Sequence, residues 1–151
     1  MSYANIIGRN KEINILDRIY KSKKSELVAI YGRRRVGKSY LVSECFGKKI
    51  LFKAVGTYIK DGDKDYESYR QLQLAHFYDS LVIAGLSTKE SKPTCWREAF
   101  LLLRKVLEGK RNRRKIIFID ELPWLAGPQS SEISIMTWTL IWLLGAKLLL
   151  F

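Results

Sequence analysis

Short apolar runs alternate along this chain with longer amphipathic stretches. Leu27-Val28-Ala29-Ile30-Tyr31, the segment 50–55 with Phe52 and Ala54, and Ile116-Ile117-Phe118-Ile119 are runs of strand length. Runs this apolar predict strands buried on both faces, as in a parallel sheet covered by helices. Between them lie helical patterns. Asn10 is placed to cap a helix on which Ile13, Leu16 and Ile19 or Tyr20 recur. A second helix is predicted from Lys38 to Phe46, with Gly47 as its stop. A third spans 66–84 with Leu72, Ala75, Tyr78 and Leu81 or Val82 on one side, and a fourth opens at Thr94 and carries Trp96, Ala99, Phe100, Leu103 and Leu107. Strands separated by helices predict a mainly parallel sheet with right-handed crossovers.

The connections are polar. Residues 57–65 and 85–93 are expected loops, and 21–25 and 109–115 are basic turns. Beyond Glu121 the character changes: the only charges are Glu132 and Lys147, and 133–146 has none. A spanning helix needs about 20 apolar residues. The uncharged run is shorter and holds Ser134, Thr137 and Thr139, so it is expected to pack on protein, not to enter a membrane.

The first apolar run leads into Gly32-Arg33-Arg34-Arg35-Val36-Gly37-Lys38-Ser39, which fits G-x-x-x-x-G-K-[ST] at every fixed position. A sharp turn after a strand requires Gly32. Close approach of backbone to phosphate requires Gly37. Successive N–H groups then form a nest for an anion, and the following helix adds the positive end of its dipole. Lys38 is expected on the β- and γ-phosphates and Ser39 on Mg²⁺. The expected nucleotide contacts are Gly32, Arg33, Arg34, Arg35, Val36, Gly37, Lys38, Ser39 and Tyr40. The three arginines fill variable positions, as solvated side chains or as contacts to phosphate or nucleic acid.

The last of the three runs ends in Asp120-Glu121, the form of a Walker B element. Asp120, at the carboxyl end of its strand, is expected to support Mg²⁺, and Glu121 to polarise a water for attack on the γ-phosphate. A parallel sheet brings the ends of both strands to one side, where ligands bind in such folds. A kinase must keep water away from its phosphoryl group, so the adjacent glutamate fits hydrolysis better than transfer.

Composition narrows this picture slightly. The 151 residues carry 27 basic and 15 acidic side chains, a net charge of +12, which favours phosphate-bearing partners without saying which. Cys45 and Cys95 stand fifty positions apart with no CxxC, and His76 is the only histidine. A metal site built from side chains alone is therefore not expected, and idle thiols fit a reducing, cytoplasmic compartment.

Taken together, Ile6-Ile7-Gly8-Arg9 with Glu12, the segment from Glu26 through the Gly-Lys-Ser loop, and Lys115-Ile-Ile-Phe-Ile-Asp-Glu-Leu-Pro-Trp-Leu125 resemble the archaeal-type ATPase family. This is an AAA-related branch of P-loop ATPases in archaea and bacteria. The resemblance implies a Mg²⁺-dependent ATPase of the additional-strand, catalytic-glutamate type, with Ile7, Gly8 and Arg9 near the adenine. The bottom-up reading of those three is a plain helix start, with Glu12 as a first-turn acid. Members of the family continue with a helix, a fourth strand ending in a polar sensor, a fifth strand and a helical lid. Here Lys147-Leu-Leu-Leu-Phe151 is read as the start of that fourth strand, and the chain as truncated after the Walker B region.

The expected fold is thus α/β: a three-layer P-loop NTPase with a mainly parallel sheet, incomplete at its C-terminus. Residues 1–25 form an N-terminal helix, 26–125 a nucleotide-binding core and 126–151 an apolar tail. The expected cofactors are ATP and Mg²⁺. Two other readings stay open: a nucleotide-binding remnant without turnover, and a nucleic-acid-binding module using Lys21 to Lys24, Arg33 to Arg35 and Arg111 to Lys115. An oligomer is compatible with either.

Overall fold

The computed structural model describes residues 6–33, 35–58, 65–110, 114–126 and 147–150. Helix α1 (Asn10–Lys21) precedes strand β1 (Glu26–Ala29). Helix α2 (Lys38–Phe46) and a 3-10 turn (Gly47–Lys49) lead into β2 (Ile50–Val55). Helices α3 (Tyr66–Ile83) and α4 (Trp96–Glu108) come before β3 (Ile116–Asp120), short α5 (Leu122–Ala126) and β4 (Lys147–Leu150).

The four described strands are parallel, in the order β1-β4-β3-β2. The strand predicted at 147 is therefore present, and it enters between the first and third. Leu148 pairs in register with Leu27 on one side and Ile117 on the other. With strands about 4.8 Å apart, β1 and β3 stand about 10 Å from each other.

Alternate residues of β3 face two cores. Ile117 and Ile119 pack with Phe52, Phe77, Trp96 and Leu103, from β2, α3 and α4. Ile116 and Phe118 pack with Leu16, Val42 and Phe46, from α1 and α2, and with Leu149. Each fully buried side chain of this size contributes about 1.5–3 kcal/mol. Within the first core, Phe77 meets Phe52, Trp96 and Phe100 with ring centroids 5.0–5.5 Å apart.

Several expectations are corrected. The first strand is not buried on both faces: β1 lies at one margin of the described sheet, with Ala29 exposed and its other residues half-buried. Asn10 is the first helical residue of α1, not its cap. Arg9 takes the cap position in a left-handed conformation (φ 54°) without a side-chain bond to the helix end. The buried face of α3 is Gln73, Leu74, Phe77, Tyr78 and Leu81, so Leu72 and Ala75 lie at its margin. Asp65 caps that helix, accepting from the Ser68 amide at 2.8 Å. The segment 133–146 lies outside the described residues. None of the described helices is long and apolar enough to cross a membrane.

Lys147 is buried at the start of β4, 4% exposed. Its ammonium donates to the Ser22 hydroxyl and the Lys24 carbonyl, each at 2.9 Å. Burial pushes its pKa down, with the Glu26 carboxylate opposing that shift.

Candidate functional site

The C-terminal ends of β1 and β3 open on a cleft of about 750 Å³, lined among others by Gly32, Lys38, Ser39, Asp120 and Glu121. Local sequence explains the shape of its floor. Gly37 stands at φ 77° as the N-cap of α2, a conformation that glycine adopts without a Cβ penalty. The chain thus turns from the loop directly into the helix. The first turn of α2 follows at once, its start marked by the Leu41 N–H donating to the Gly37 carbonyl at 3.0 Å.

Lys38 folds back over the loop. Its ammonium donates to the carbonyls of Gly32 and Arg33, each at 3.1 Å. Ser39, in the first turn of α2, donates its hydroxyl to Oδ2 of Asp120 at 2.6 Å. The other oxygen, Oδ1, accepts from the backbone N–H of Glu121 at 3.0 Å. Oδ2 thus faces the loop, and Oδ1 is held by the turn at Glu121.

Glu121 and Arg35 both line this cleft with positive φ, 52° and 61°. Residues with a Cβ pay about 1–2 kcal/mol for that conformation, and such strain gathers at functional sites. The turn at Glu121 is held from below. Gly56 N–H donates to the Asp120 carbonyl at 2.9 Å, and a Cβ on Gly56 would stand 2.3 Å from the Glu121 carbonyl oxygen and 2.6 Å from the Leu125 nitrogen. Only glycine lets β2 pass this close to α5.

Tyr58 and Trp124, to which the sequence assigned no role, line the wall, and residues behind them support it. Tyr58 and Trp124 meet edge to face, centroids 4.6 Å apart. The Tyr69 hydroxyl donates to the Trp124 carbonyl. Fully buried Gln73 brackets Thr57, its Oε1 accepting from Thr57 N–H at 3.1 Å and its amide donating to Thr57 O at 2.7 Å. His76 Nδ1 is 2.8 Å from the Thr57 hydroxyl. None of these contacts carried a signal in the sequence.

The remaining expected contacts divide. Tyr40 and Arg35 line the main cleft, whereas Arg33 contributes its carbonyl to Lys38 and points no side chain there. Arg34 lies outside the described residues. Arg9 and Val36 line a smaller adjoining cavity of about 270 Å³ with Glu12, Leu16 and Leu41. The Arg9 guanidinium donates to the Val36 carbonyl, tying α1 to the loop. Gly8, at φ 74°, shapes the approach to α1, and Ile7 is 98% exposed, so neither lines a described cavity.

Among the described residues no group of three or more His, Cys, Asp or Glu side chains could hold a metal ion. Ser39 and Asp120 nevertheless present hydroxyl and carboxylate oxygens side by side, the donor chemistry of a hard cation that takes its other ligands from phosphate and water.

A small parallel sheet with a glycine-bounded loop after β1 and paired carboxylates after β3 is consistent with a P-loop-type ATPase domain. Residues 6–143 match the family described as an ATPase domain predominantly from Archaea, and the chain belongs to that family. It is also similar to an uncharacterized ATP-binding protein of Methanocaldococcus jannaschii, 35% identical over 48 residues that cover 32% of this chain and 81% of that protein.

Proposed function

We propose that this chain binds ATP with Mg²⁺ in the cleft between β1 and β3 and hydrolyses the γ-phosphate. The observation that carries the reading is the meeting of Ser39 and Asp120 beside Lys38 at the mouth of the cleft. The family membership and the ATP-binding relative support the same ligand.

The residues divide the work as follows. Lys38 exchanges its two loop carbonyls for the β- and γ-phosphate oxygens, a stronger partner for an ammonium. The amides around Val36 and Gly37 and the start of α2 hold the phosphates through the nest and the helix dipole. Ser39 and Asp120 hold Mg²⁺, which supplies charge neutralisation on the phosphates when bound. Glu121 takes the proton of the attacking water, as its place next to Asp120 at the cleft wall allows. The smaller cavity beside Arg9 and Leu16 receives the base, in line with the place of the Ile7-Gly8-Arg9 motif in the resemblance. The two cores on opposite faces of β3 support a three-layer architecture.

Steady-state phosphate release tests the catalytic part. Release by the wild type that is lost in Glu121→Gln, with ATP binding retained, supports hydrolysis. Binding without release in the wild type shows a nucleotide-binding module instead.

A further inference from the structure

Because the described strands are parallel, their N-terminal ends share one edge of the sheet, opposite the cleft. Each turn leading to the first three strands is basic there. Lys23 and Lys24 precede β1, Lys48 and Lys49 precede β2, and Arg114 and Lys115 precede β3. None of the segments 21–25, 47–49 and 109–115 contains an acidic residue. Two carboxylates of this end are engaged locally: Asp17 pairs with Lys21 at 2.5 Å, and Glu26 accepts from the Ser22 hydroxyl at 2.8 Å.

The turns are also tied to one another. Lys147 bonds Ser22 and the Lys24 carbonyl through its ammonium, and its backbone N–H donates to the Lys115 carbonyl at 2.8 Å. The Tyr20 ring carries the Lys49 ammonium 4.6 Å from its centroid and the Arg114 guanidinium at 4.8 Å. Contacts of cations with one ring hold like charges close together that would otherwise separate. Lys49 and Arg114 are therefore held side by side through one ring, and the turns that carry Lys24 and Lys115 are joined through their backbone carbonyls, so the basic turns keep a fixed spacing.

We propose that this edge is a docking surface for the phosphodiester backbone of nucleic acid, separate from the cleft. Three strand spacings put its width at about 14 Å. A duplex carries one charge per ~1.7 Å of axis, so several phosphates face such an array at once. The alternative of a lipid surface fits less well. Among the described residues, the exposed large apolar side chains, Ile7, Tyr31, Tyr58 and Ile83 among them, lie outside these turns, and insertion at a bilayer surface needs an apolar face. Arg33 and Arg35 belong to the opposite end of the sheet, so the basic segments of the chain do not make one surface.

The test is fluorescence anisotropy of a short labelled duplex of mixed sequence, without ATP, across a salt series. The wild type should bind with log K falling against log salt at a slope of about −3 or steeper. The variant Lys23→Glu/Lys24→Glu/Lys48→Glu should lose at least about tenfold in affinity, with a shallower slope. A control with the same charge change away from the edge, Lys11→Glu/Lys89→Glu/Arg97→Glu, should lose less than about threefold. Should the triple edge variant fail to fold by circular dichroism, Lys48→Glu alone is expected to weaken binding by about threefold. Equal losses in edge and control variants, affinity indifferent to salt, or capture by phosphatidylserine vesicles with no duplex binding would each overturn the proposal.

Discussion

The Ser39 hydroxyl and Oδ2 of Asp120 are 2.6 Å apart although 81 positions separate them in the chain. β4 lies between the strands that lead to them, so the bond joins the two sides of the cleft across the end of β4. That bond ties the helix that follows the loop of β1 to the carboxylate of β3.

Asp120→Asn keeps the shape of the acceptor and removes its charge. We expect the gain in ATP affinity on adding Mg²⁺ to shrink by about tenfold, or about 1.4 kcal/mol. Affinity in the presence of a chelator should stay equal or rise, because a negative charge near the phosphates is gone. Isothermal titration with and without Mg²⁺ reads both.

Gly56→Ala places a methyl group against the Glu121 carbonyl and the Leu125 nitrogen, both backbone atoms that cannot rotate away. Overpacking of this kind costs about 1–3 kcal/mol. A urea midpoint lowered at unchanged slope would agree; an unchanged midpoint would show that α5 yields freely.

Gln73→Ala strips Thr57 of partners for both its N–H and its carbonyl, and should cost about 2 kcal/mol. Gln73→Glu gives a pH-dependent version. Burial and the Thr57 carbonyl raise the folded pKa of the new carboxyl above its unfolded value of about 4.3. As pH rises the unfolded chain ionises first. The stability of this variant relative to wild type is therefore greatest below about pH 4.3 and is lost as pH climbs toward the folded pKa. Paired urea titrations at acidic and neutral pH check the sign.

The two thiols should separate kinetically. Burial, followed by the charges of Asp17 and Glu44, pushes the Cys45 thiol above its usual range, with Lys49 opposing. Its folded-state proton contributes stability that is fully present below the ordinary thiol value and is lost as pH rises from there through the raised folded value. Cys95 is half-exposed. A thiol reagent near neutral pH should label Cys95 at least about tenfold faster than Cys45, read by mass spectrometry of peptides.

Much of the fold was legible because it rests on local pattern. The apolar runs at 50–55 and 116–119 became strands, Gly47 ended α2, and the glycines and lysine of the loop stood at required spacings. Lys147 as the start of a strand followed from the resemblance to a family, not from its own composition. Among the misses, one cause recurs: a polar residue whose partner is distant looks like a solvent-facing one. Gln73 is the clearest case. It is polar by type and was not assigned to the buried face, yet it is fully buried with two bonds to Thr57, on the same face as Leu74 and Phe77. The role of Gly56 depends on α5 lying against β2, and no run of residues announces that contact. Arg9 likewise read as a helix start, while its bond to the Val36 carbonyl ties that start to the loop.

Calorimetric titration of Mg·ATP into wild type and Lys38→Ala bears most directly on the central claim, that the ammonium of Lys38 leaves the Gly32 and Arg33 carbonyls for a triphosphate. Saturable heat in the wild type, with affinity at least about tenfold weaker in the variant, is the expected result. No heat from the wild type, or the same affinity in both, would contradict it.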